Sequence, residues 1–293
     1  MFRLSVSSFC LLVILLTLAS GHAQSTDILR VEYLRIPEND TGIETSRYRF
    51  ALNLPIKVGW DKYLVAGAEY NRLDVGFSQT LPFDSSELNR LHIVDLNVGY
   101  ITKWNDNWRL IGIITPRFAS NFTDGVVTED FFFNATATFL KEKSDVPKPF
   151  RIVLGLSYNS TTGLPVPLPL VSYYKRFHPK WSYTIGIPRS NFKFHPTDKH
   201  TFQFLLALDG YFINIQNDVL LPDNQLGSKI SLSALVGSLG YQYNFTKRTS
   251  FYAMVGRSIE QTGNLRDNKR REVLLLNDEA NVYIRTGFKI SIF

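Results

Sequence analysis

The sequence contains almost no cysteine, and this absence excludes several classes of protein. Its 293 residues include a single cysteine, Cys10, and none follows residue 23. Disulfide scaffolds and thiolate metal sites are therefore excluded for the rest of the chain. After residue 23 there is also no run of 18 apolar residues, so we expect no transmembrane helix.

The sequence also has little excess of charge of either sign. Its formal net charge is +6 at pH 7, and the basic residues are scattered along the chain. Nucleic acid is therefore not expected as a partner. Apolar residues at helical spacing are scarce, whereas Phe, Tyr and Trp make up 14% of the chain. This composition favours β-strands.

The first 23 residues have the features of a secretory signal peptide. Arg3 precedes an apolar segment, residues 10–19, and the small residues Gly21 and Ala23 stand just before a cleavage point. The apolar segment is too short to cross a bilayer as a helix. We therefore predict a signal peptide at residues 1–23 followed by one exported domain at residues 24–293.

The segment RYRFALNLPIKVGW, residues 47–60, alternates with a period of two. Its even positions from Tyr48 to Val58 are apolar, whereas the odd positions include Arg49, Asn53 and Lys57. Successive side chains of a strand point to opposite faces, so the segment is typical of a strand with one apolar and one polar face. An apolar face turned inward would indicate a soluble sandwich or a lipocalin-like barrel. An apolar face against lipid would indicate an outer-membrane barrel.

Similar segments recur and predict 14 strands, with 12 as the alternative if the two shortest, 181–187 and 190–194, are not strands. Most are long enough for a bilayer crossing, which takes about 9–11 residues. The other predicted strands are 28–37, 47–58, 63–76, 89–103, 108–118, 130–142, 149–159, 169–177, 200–214, 229–245, 250–260 and 279–293.

The connections between these strands alternate between long and short, apart from a short one near Pro188. Long connections include residues 217–228 and 263–280. Outer-membrane barrels pair short periplasmic turns with longer external loops, so this alternation favours lipid on the apolar side. We therefore predict an all-β fold over residues 24–293, an up-and-down antiparallel transmembrane β-barrel in the cell outer membrane.

All four tryptophans flank short turns of this predicted barrel. Trp and Tyr collect at the membrane–water boundary, so the tryptophans are expected to form an aromatic girdle at one end. Aromatic residues that cap a soluble core are the alternative explanation. The predicted girdle residues are Trp60, Trp104, Trp108 and Trp181.

The segment GLPVPLPLVSYYKRFHPKWSYTIGIPRSNFKFHPTDKHTF, residues 163–202, resembles an uncharacterised family of Gram-negative outer-membrane β-barrels, a domain of unknown function. The chain also ends on Phe293, as many such proteins do, and in that class a terminal aromatic residue is read by the barrel-assembly machinery. Here Phe293 is in phase with Lys289 and Ser291 instead of with Ile290 and Ile292. The resemblance implies a barrel and the assembly machinery as a partner, and brings no known activity.

The polar faces of the strands supply the candidate functional residues. Charges cost roughly 2–4 kcal/mol at the lipid midplane, so they are expected to line the lumen. In strand 200–214 two apolar residues, Leu205 and Ile213, depart from this rule and fall on the polar face. The lumen candidates are Arg49, Asn53, Lys57, Glu69, Asp95, Asn97, Arg151, Asp209, Arg285 and Lys289.

We expect these residues to line a pore for passive or selective passage of small solutes, because 14 strands lie between the filled eight-stranded barrels and the 16–18-stranded channels. A closed or plugged barrel with a structural or surface-interaction role is the alternative, and a lipid-active enzyme is a third hypothesis. Outer-membrane lipid and lipopolysaccharide are the expected surroundings. The basic loop at residues 266–272 could contact phosphates, although a solvated loop is favoured.

We predict no catalytic residue, no cofactor and no metal site. His92 lies near the outer end of its strand, but no serine or acidic residue stands at a spacing from it that would indicate a catalytic group. His178, His195 and His200 lie at short turns, where His-Pro is an ordinary turn dipeptide. The chain is therefore not expected to be an enzyme.

Overall fold

The computed structural model describes residues 27–160 and 167–291, and these form one sheet of 15 antiparallel strands. The signal peptide predicted at residues 1–23 and the terminal Phe293 lie outside the described residues. In chain order the strands are β1 (Asp27–Ile36), β2 (Ile43–Gly59), β3 (Lys62–Phe77), β4 (Arg90–Lys103), β5 (Arg109–Ser120), β6 (Phe131–Lys143), β7 (Phe150–Tyr158), β8 (Pro167–His178), β9 (Trp181–Ile187), β10 (Arg189–Phe194), β11 (His200–Leu220), β12 (Leu226–Asn244), β13 (Thr249–Arg266), β14 (Glu272–Asn277) and β15 (Val282–Ser291).

Fourteen of the 15 strands close into a barrel. Each of β1 to β13 pairs with the next strand along the chain, β15 pairs with β13, and β1 pairs with β15. The remaining strand, β14, pairs only with the end of β13 in an extension beyond the wall. No helix in the described part of the chain is long and apolar enough to span a bilayer.

The prediction of 14 strands is confirmed, and the alternative of 12 is wrong. Both short strands exist, because each has a hydrogen-bonded partner on either side: β9 pairs with β8 and β10, and β10 pairs with β9 and β11. Residues 217–228, predicted as a loop, are mostly strand, since β11 and β12 extend into them. The predicted loop at 263–280 likewise contains β14.

Alternation along the strands separates the two faces of the wall. In β2 the apolar even positions are exposed outward, with Phe50 46% and Ile56 48% accessible, whereas Arg49 on the other face forms an ion pair. The same outward exposure is found in β4, β7 and β11, at Val98, Leu156 and Phe204. An apolar exterior of this kind suits lipid and not water. The apolar face seen in the sequence is therefore the outside of the barrel.

The two ends of the barrel differ. At the short-turn end the strands are joined by two to six residues. The opposite end carries the longest connections and two single-turn 3-10 helices, Ser86–Leu88 and Thr128–Asp130, although β9 and β10 are joined there by Pro188 alone. We call the latter the long-loop end.

The long-loop end is crossed by one hairpin. Residues 211–235, comprising the ends of β11 and β12 and their connecting turn, leave the wall and run across the interior; we call this segment the crossing hairpin. Asn214 of β11 pairs in parallel with Ser120 of β5, although these strands lie six positions apart in the sheet. Phe212 packs edge-on against Phe132 of β6, with ring centroids 5.7 Å apart.

The crossing hairpin forms the apolar core of the long-loop end. Phe212 and Ile213 are both completely buried, as is Leu265 of β13, and they pack with inward residues of β1, β3 and β4. The cavity between the hairpin and the wall is only about 30 Å³. The fit is close to that of a protein interior, where cavities larger than a water molecule are few.

Candidate functional site

The centre of the barrel interior holds an ion-pair network that joins opposite walls. The carboxylate of Asp209 on β11 accepts hydrogen bonds from both terminal nitrogens of Arg47 on β2, at 3.0 and 3.1 Å. It also pairs with Arg285 on β15, whose Nε lies 3.7 Å from Glu32 on β1. Because β2 and β11 are not neighbours in the sheet, these contacts bridge the interior.

Glu32 is fixed in this network by a tyrosine. Tyr252 of β13 donates its hydroxyl proton to Oε2 of Glu32 at 2.6 Å, and both residues are buried. The Tyr252 ring lies over Gly287 of the neighbouring β15. A Cβ atom at position 287 would stand 2.5 Å from the ring carbon Cζ, so this position must lack a side chain.

We expect Gly287→Ala to destabilise the barrel by about 2 kcal/mol, because moving the Tyr252 ring breaks a hydrogen bond to a charged group. The measurement is the free energy of unfolding in denaturant. Gly112→Ala is the matched control, since a Cβ there meets nothing within 4 Å. Equal losses in the two variants would contradict this account of Gly287.

Two further pairs lie along the inner wall on the other side of the network. Arg49 of β2 donates to Glu69 of β3 at 2.7 Å, and Asn71 donates to the second oxygen of Glu69 at 2.9 Å. Asp95 of β4 accepts two hydrogen bonds from Arg117 of β5, at 2.6 and 2.8 Å. These pairs neutralise much of the charge at mid-height.

Three cations of the interior have no such partner. Among the residues that the structure describes, no carboxylate lies within 4 Å of Arg189, Lys193 or Lys289. Arg189 pairs across the strands with the buried Ala207, so its side chain shares the inward face, yet it is exposed. The interior below the crossing hairpin carries an excess of positive charge.

A cavity of about 130 Å³ lies beside Arg189, at the level of the central network. Its charged lining residues are four arginines and one carboxylate, Asp209, which pairs with Arg47 and Arg285. Its apolar lining includes Leu205 and Val236. The lining therefore has more positive than negative charge and offers apolar surface to the same occupant.

The remaining lumen candidates lie as follows. Asn97 accepts a hydrogen bond from Thr115 at 2.7 Å, and Asn53 donates to the backbone oxygen of Asp27 at 3.2 Å. Arg151 pairs with Glu142 near the short turn between β6 and β7. Lys57 is exposed beside the turn after β2, with Nζ 6.0 Å from the centre of the Trp60 ring.

Several residues of the interior were missed in the sequence. Glu32 and Arg47 belong to the central network. Arg47 lies two residues before Arg49 and therefore on the same face of the strand, so the alternation in the sequence could have identified Arg47 as a lumen residue. Arg189 and Lys193 lie on β10, whose six residues give too short a pattern to separate two faces. Contacts between distant strands have no local signal in the sequence.

The four tryptophans lie at the short-turn end. Trp60 and Trp104 are 86% and 61% exposed. Trp104 packs edge-on against Phe139, and Trp181 lies 4.4 Å from Phe194, centroid to centroid. Trp108 lies under the ammonium group of Lys141.

The four histidines of the described residues each contact different partners. His92 shares a hydrogen bond of 2.8 Å with the Tyr70 hydroxyl on the outer face. His178 accepts from the backbone of Lys180, and His200 bonds the Tyr241 hydroxyl at 2.7 Å. No group of three metal-ligating side chains occurs within residues 27–160 and 167–291.

His195 lies in the turn between β10 and β11. Its two ring nitrogens are each 3.0 Å from a hydroxyl, of Ser182 and of Thr201. Burial lowers the pKa of His195 to about 4, and the charges of Lys193 and Arg176 act in the same direction.

The pKa of His195 predicts a pH dependence of stability. The unfolded chain binds this proton below about pH 6.5 and the folded chain only below about pH 4. The free energy of unfolding should therefore fall between pH 6.5 and pH 4 and be independent of this group at lower pH. The difference between wild type and His195→Gln, measured by denaturant titration, should change over that interval. A difference that is constant with pH would contradict the assignment.

Comparison with known proteins gives a family and a set of barrels. The family model described as "Domain of unknown function (DUF6268)" matches residues 38–291. No curated protein matches the sequence.

Solved structures similar to the chain include an outer-membrane channel and a porin. The COG4313 outer membrane channel from Pseudomonas putida F1 is 11% identical, with a TM-score of 0.45, over 92% of this chain and 97% of that one. The NanC porin is 12% identical, with a TM-score of 0.39, over 89% and 98%. LpxR from Salmonella typhimurium is 5% identical, with a TM-score of 0.37, over 89% and 99%.

Proposed function

The chain belongs to the DUF6268 family, a domain of unknown function, and on that premise we propose that it forms a passage for small anionic solutes across the outer membrane. The observation that carries this proposal is the set of unpaired interior cations, Arg189, Lys193 and Lys289. Basic side chains lining a pore attract anions and exclude cations. The passage is non-enzymatic in this proposal and uses no cofactor.

The proposal places the short-turn end in the periplasm and the long-loop end at the cell surface. Residues 1–23 direct export, the assembly machinery inserts the barrel, and the four tryptophans contact the inner boundary of the membrane. Lipid and lipopolysaccharide then surround the outward apolar face. The interior pairs Arg49–Glu69 and Asp95–Arg117 line the wall of the passage.

The crossing hairpin governs this passage. Its apolar packing closes the long-loop end to water, so solutes pass only when the hairpin is displaced. The same observation supports a second candidate function, a permanently closed barrel with a structural or surface-interaction role. The two functions differ in whether the hairpin ever moves away.

Ion selectivity in planar bilayers tests the proposed passage. In a tenfold KCl gradient the reversal potential of the wild type should show preference for chloride. The triple variant Arg189→Gln, Lys193→Gln, Lys289→Gln should lose most of that preference, because it removes three interior charges. The matched control removes three exposed lysines at short turns, Lys180, Lys199 and Lys247, and should retain it. A cation preference in the wild type would contradict the proposal.

A further inference from the structure

The wall of the barrel has a gap beside the β9–β10 hairpin. β9 ends at Ile187, which pairs with Val171 of β8, and β10 starts at Arg189, which pairs with Ala207 of β11. Above that level β8 continues for four residues to Pro167, and β11 stays in the wall as far as Gly210, where the crossing hairpin begins. Within residues 27–160 and 167–291, no strand lies in the wall between these parts of β8 and β11. Three strand spacings, about 14 Å, separate these edges.

The exposed edges of the gap have few unpaired backbone donors. On β8, Pro167 and Pro169 have no N–H group, and prolines within sheets are confined to such edges. On β11, the N–H of Gly210 donates to its neighbour's carboxylate, Asp209, at 2.8 Å. The described edges of the gap therefore offer few free backbone donors to another strand.

The lower boundary of the gap lies against lipid. Ile187 and Leu208 flank the turn, face outward and are 53% and 55% exposed. They are joined through the turn, since the N–H of Leu208 donates to the carbonyl of Pro188 at 3.0 Å. Because the long-loop end faces the cell surface in the proposed orientation, the gap opens to the outer leaflet.

The 130 Å³ cavity lies directly inside this boundary, since Arg189 and Leu208 belong to its lining. The crossing hairpin covers the interior above it. The cavity also has unused hydrogen-bond donors: the Nε atoms of Arg47 and Arg49 are buried without a partner among the described residues. Buried donors of charged groups are costly when unpaired, which points to an anionic occupant.

From this geometry we propose that a single-chain amphiphile with a carboxylate or phosphate headgroup enters sideways from the outer leaflet through the gap. Its headgroup binds between Arg189, Arg47 and Arg49, and its chain lies along Leu205 and Val236 and out through the gap between β8 and β11. This inference rests on the proposed function, because it names the class of anion that the passage accepts.

Binding of a dansylated undecanoic acid to the full barrel in detergent micelles tests the inference. Fluorescence titration should give saturable binding, and Arg189→Gln should weaken it about tenfold. Leu170→Trp, which enlarges an inward side chain on the β8 edge of the gap, should weaken it to a similar extent. Arg90→Gln, which removes an exposed charge outside the cavity, is the matched control and should bind as the wild type does.

Competitors identify the ligand chemistry. A long-chain carboxylate and a single-chain phosphomonoester should displace the probe, and their ratio distinguishes a free fatty acid from a lipid phosphate. A long-chain alcohol and acetate should each compete at least tenfold more weakly, because each lacks one half of the recognised group. Equal competition by the alcohol, or unchanged binding by Arg189→Gln, would overturn the inference.

The outcome is separable from that of the proposed passage. A chloride-selective barrel that does not bind the probe overturns the amphiphile site and leaves the passage for small anions in place. A barrel that binds the probe through Arg189 but never conducts supports the site and contradicts the ion passage. Folding of each variant is checked by its circular dichroism spectrum and its mobility before and after heating.

Discussion

Replacing Phe212 and Ile213 together with alanine is expected to raise the single-barrel conductance at least tenfold above that of the wild type. Both side chains are completely buried between the crossing hairpin and the wall. Large-to-small changes at such sites cost about 2–5 kcal/mol each, which is enough to release the hairpin from the interior while the wall retains its strand pairing. Planar-bilayer recordings give the measurement.

A disulfide lock provides the opposite change. Ser120 and Asn214 are register partners in the parallel contact between β5 and β11. Because residues 24–293 contain no cysteine, Ser120→Cys and Asn214→Cys can pair only with each other in that part of the chain. Oxidation should silence the current and reduction should restore it, whereas Ser120→Cys alone should respond to neither.

Outward-facing positions supply the control for the alanine change. Ile185 and Phe192 are exposed on the lipid face of β9 and β10, and their replacement by alanine should leave the conductance unchanged. If the Phe212 and Ile213 variant stays silent as well, the barrel is permanently closed and the structural role is the better description.

Asp209→Asn is expected to cost about 3 kcal/mol in the free energy of unfolding. Its carboxylate serves both Arg47 and Arg285, and all three side chains are less than 20% exposed. Removing the anion leaves Arg47 buried without its counter-ion, and breaking a buried pair in this way costs about 3–5 kcal/mol. The lower end of that range applies because Arg285 keeps its contact with Glu32, at 3.7 Å.

The partner substitution should be milder. Arg47→Gln removes two hydrogen bonds to the Asp209 carboxylate but leaves Asp209 paired with Arg285, so we expect a loss of about 2 kcal/mol, the size of a hydrogen bond to a charged group. Denaturant titrations of the two single variants and of the double variant form a cycle, and the double variant should cost less than the sum. Additive losses would show that the contact across the barrel contributes no stability.

The strands were predictable from the sequence because lipid enforces a strict alternation. Wherever one face meets hydrocarbon, as in β2 and β7, the period of two identified the strand and its outward face. The alternation fails at the long-loop end, where the ends of β11 and β12 are buried on both sides. For that reason residues 217–228 were interpreted as a loop and β14 was not foreseen.

The candidate site was only partly predictable. The polar faces of the strands identified Glu69, Asp95, Asp209 and Arg285 as inward residues. Which of these side chains form contacts depends on how the sheet closes into a barrel. Leu205 and Ile213 are apolar residues on an otherwise polar face, and the structure explains both. Leu205 belongs to the apolar lining of the cavity, and Ile213 is a residue of the crossing hairpin that packs in the core of the long-loop end.

The two prolines on the β8 edge have a consequence for assembly. An open strand edge is a template for adding a strand from another molecule, and it invites aggregation during insertion. Pro167 and Pro169 lack the N–H groups that an added strand would need as hydrogen-bond donors. A strand of a neighbouring barrel therefore cannot readily pair with this edge. Replacing both prolines with valine would restore two N–H donors on this edge. Two barrels could then pair through it, and dimers should appear in detergent.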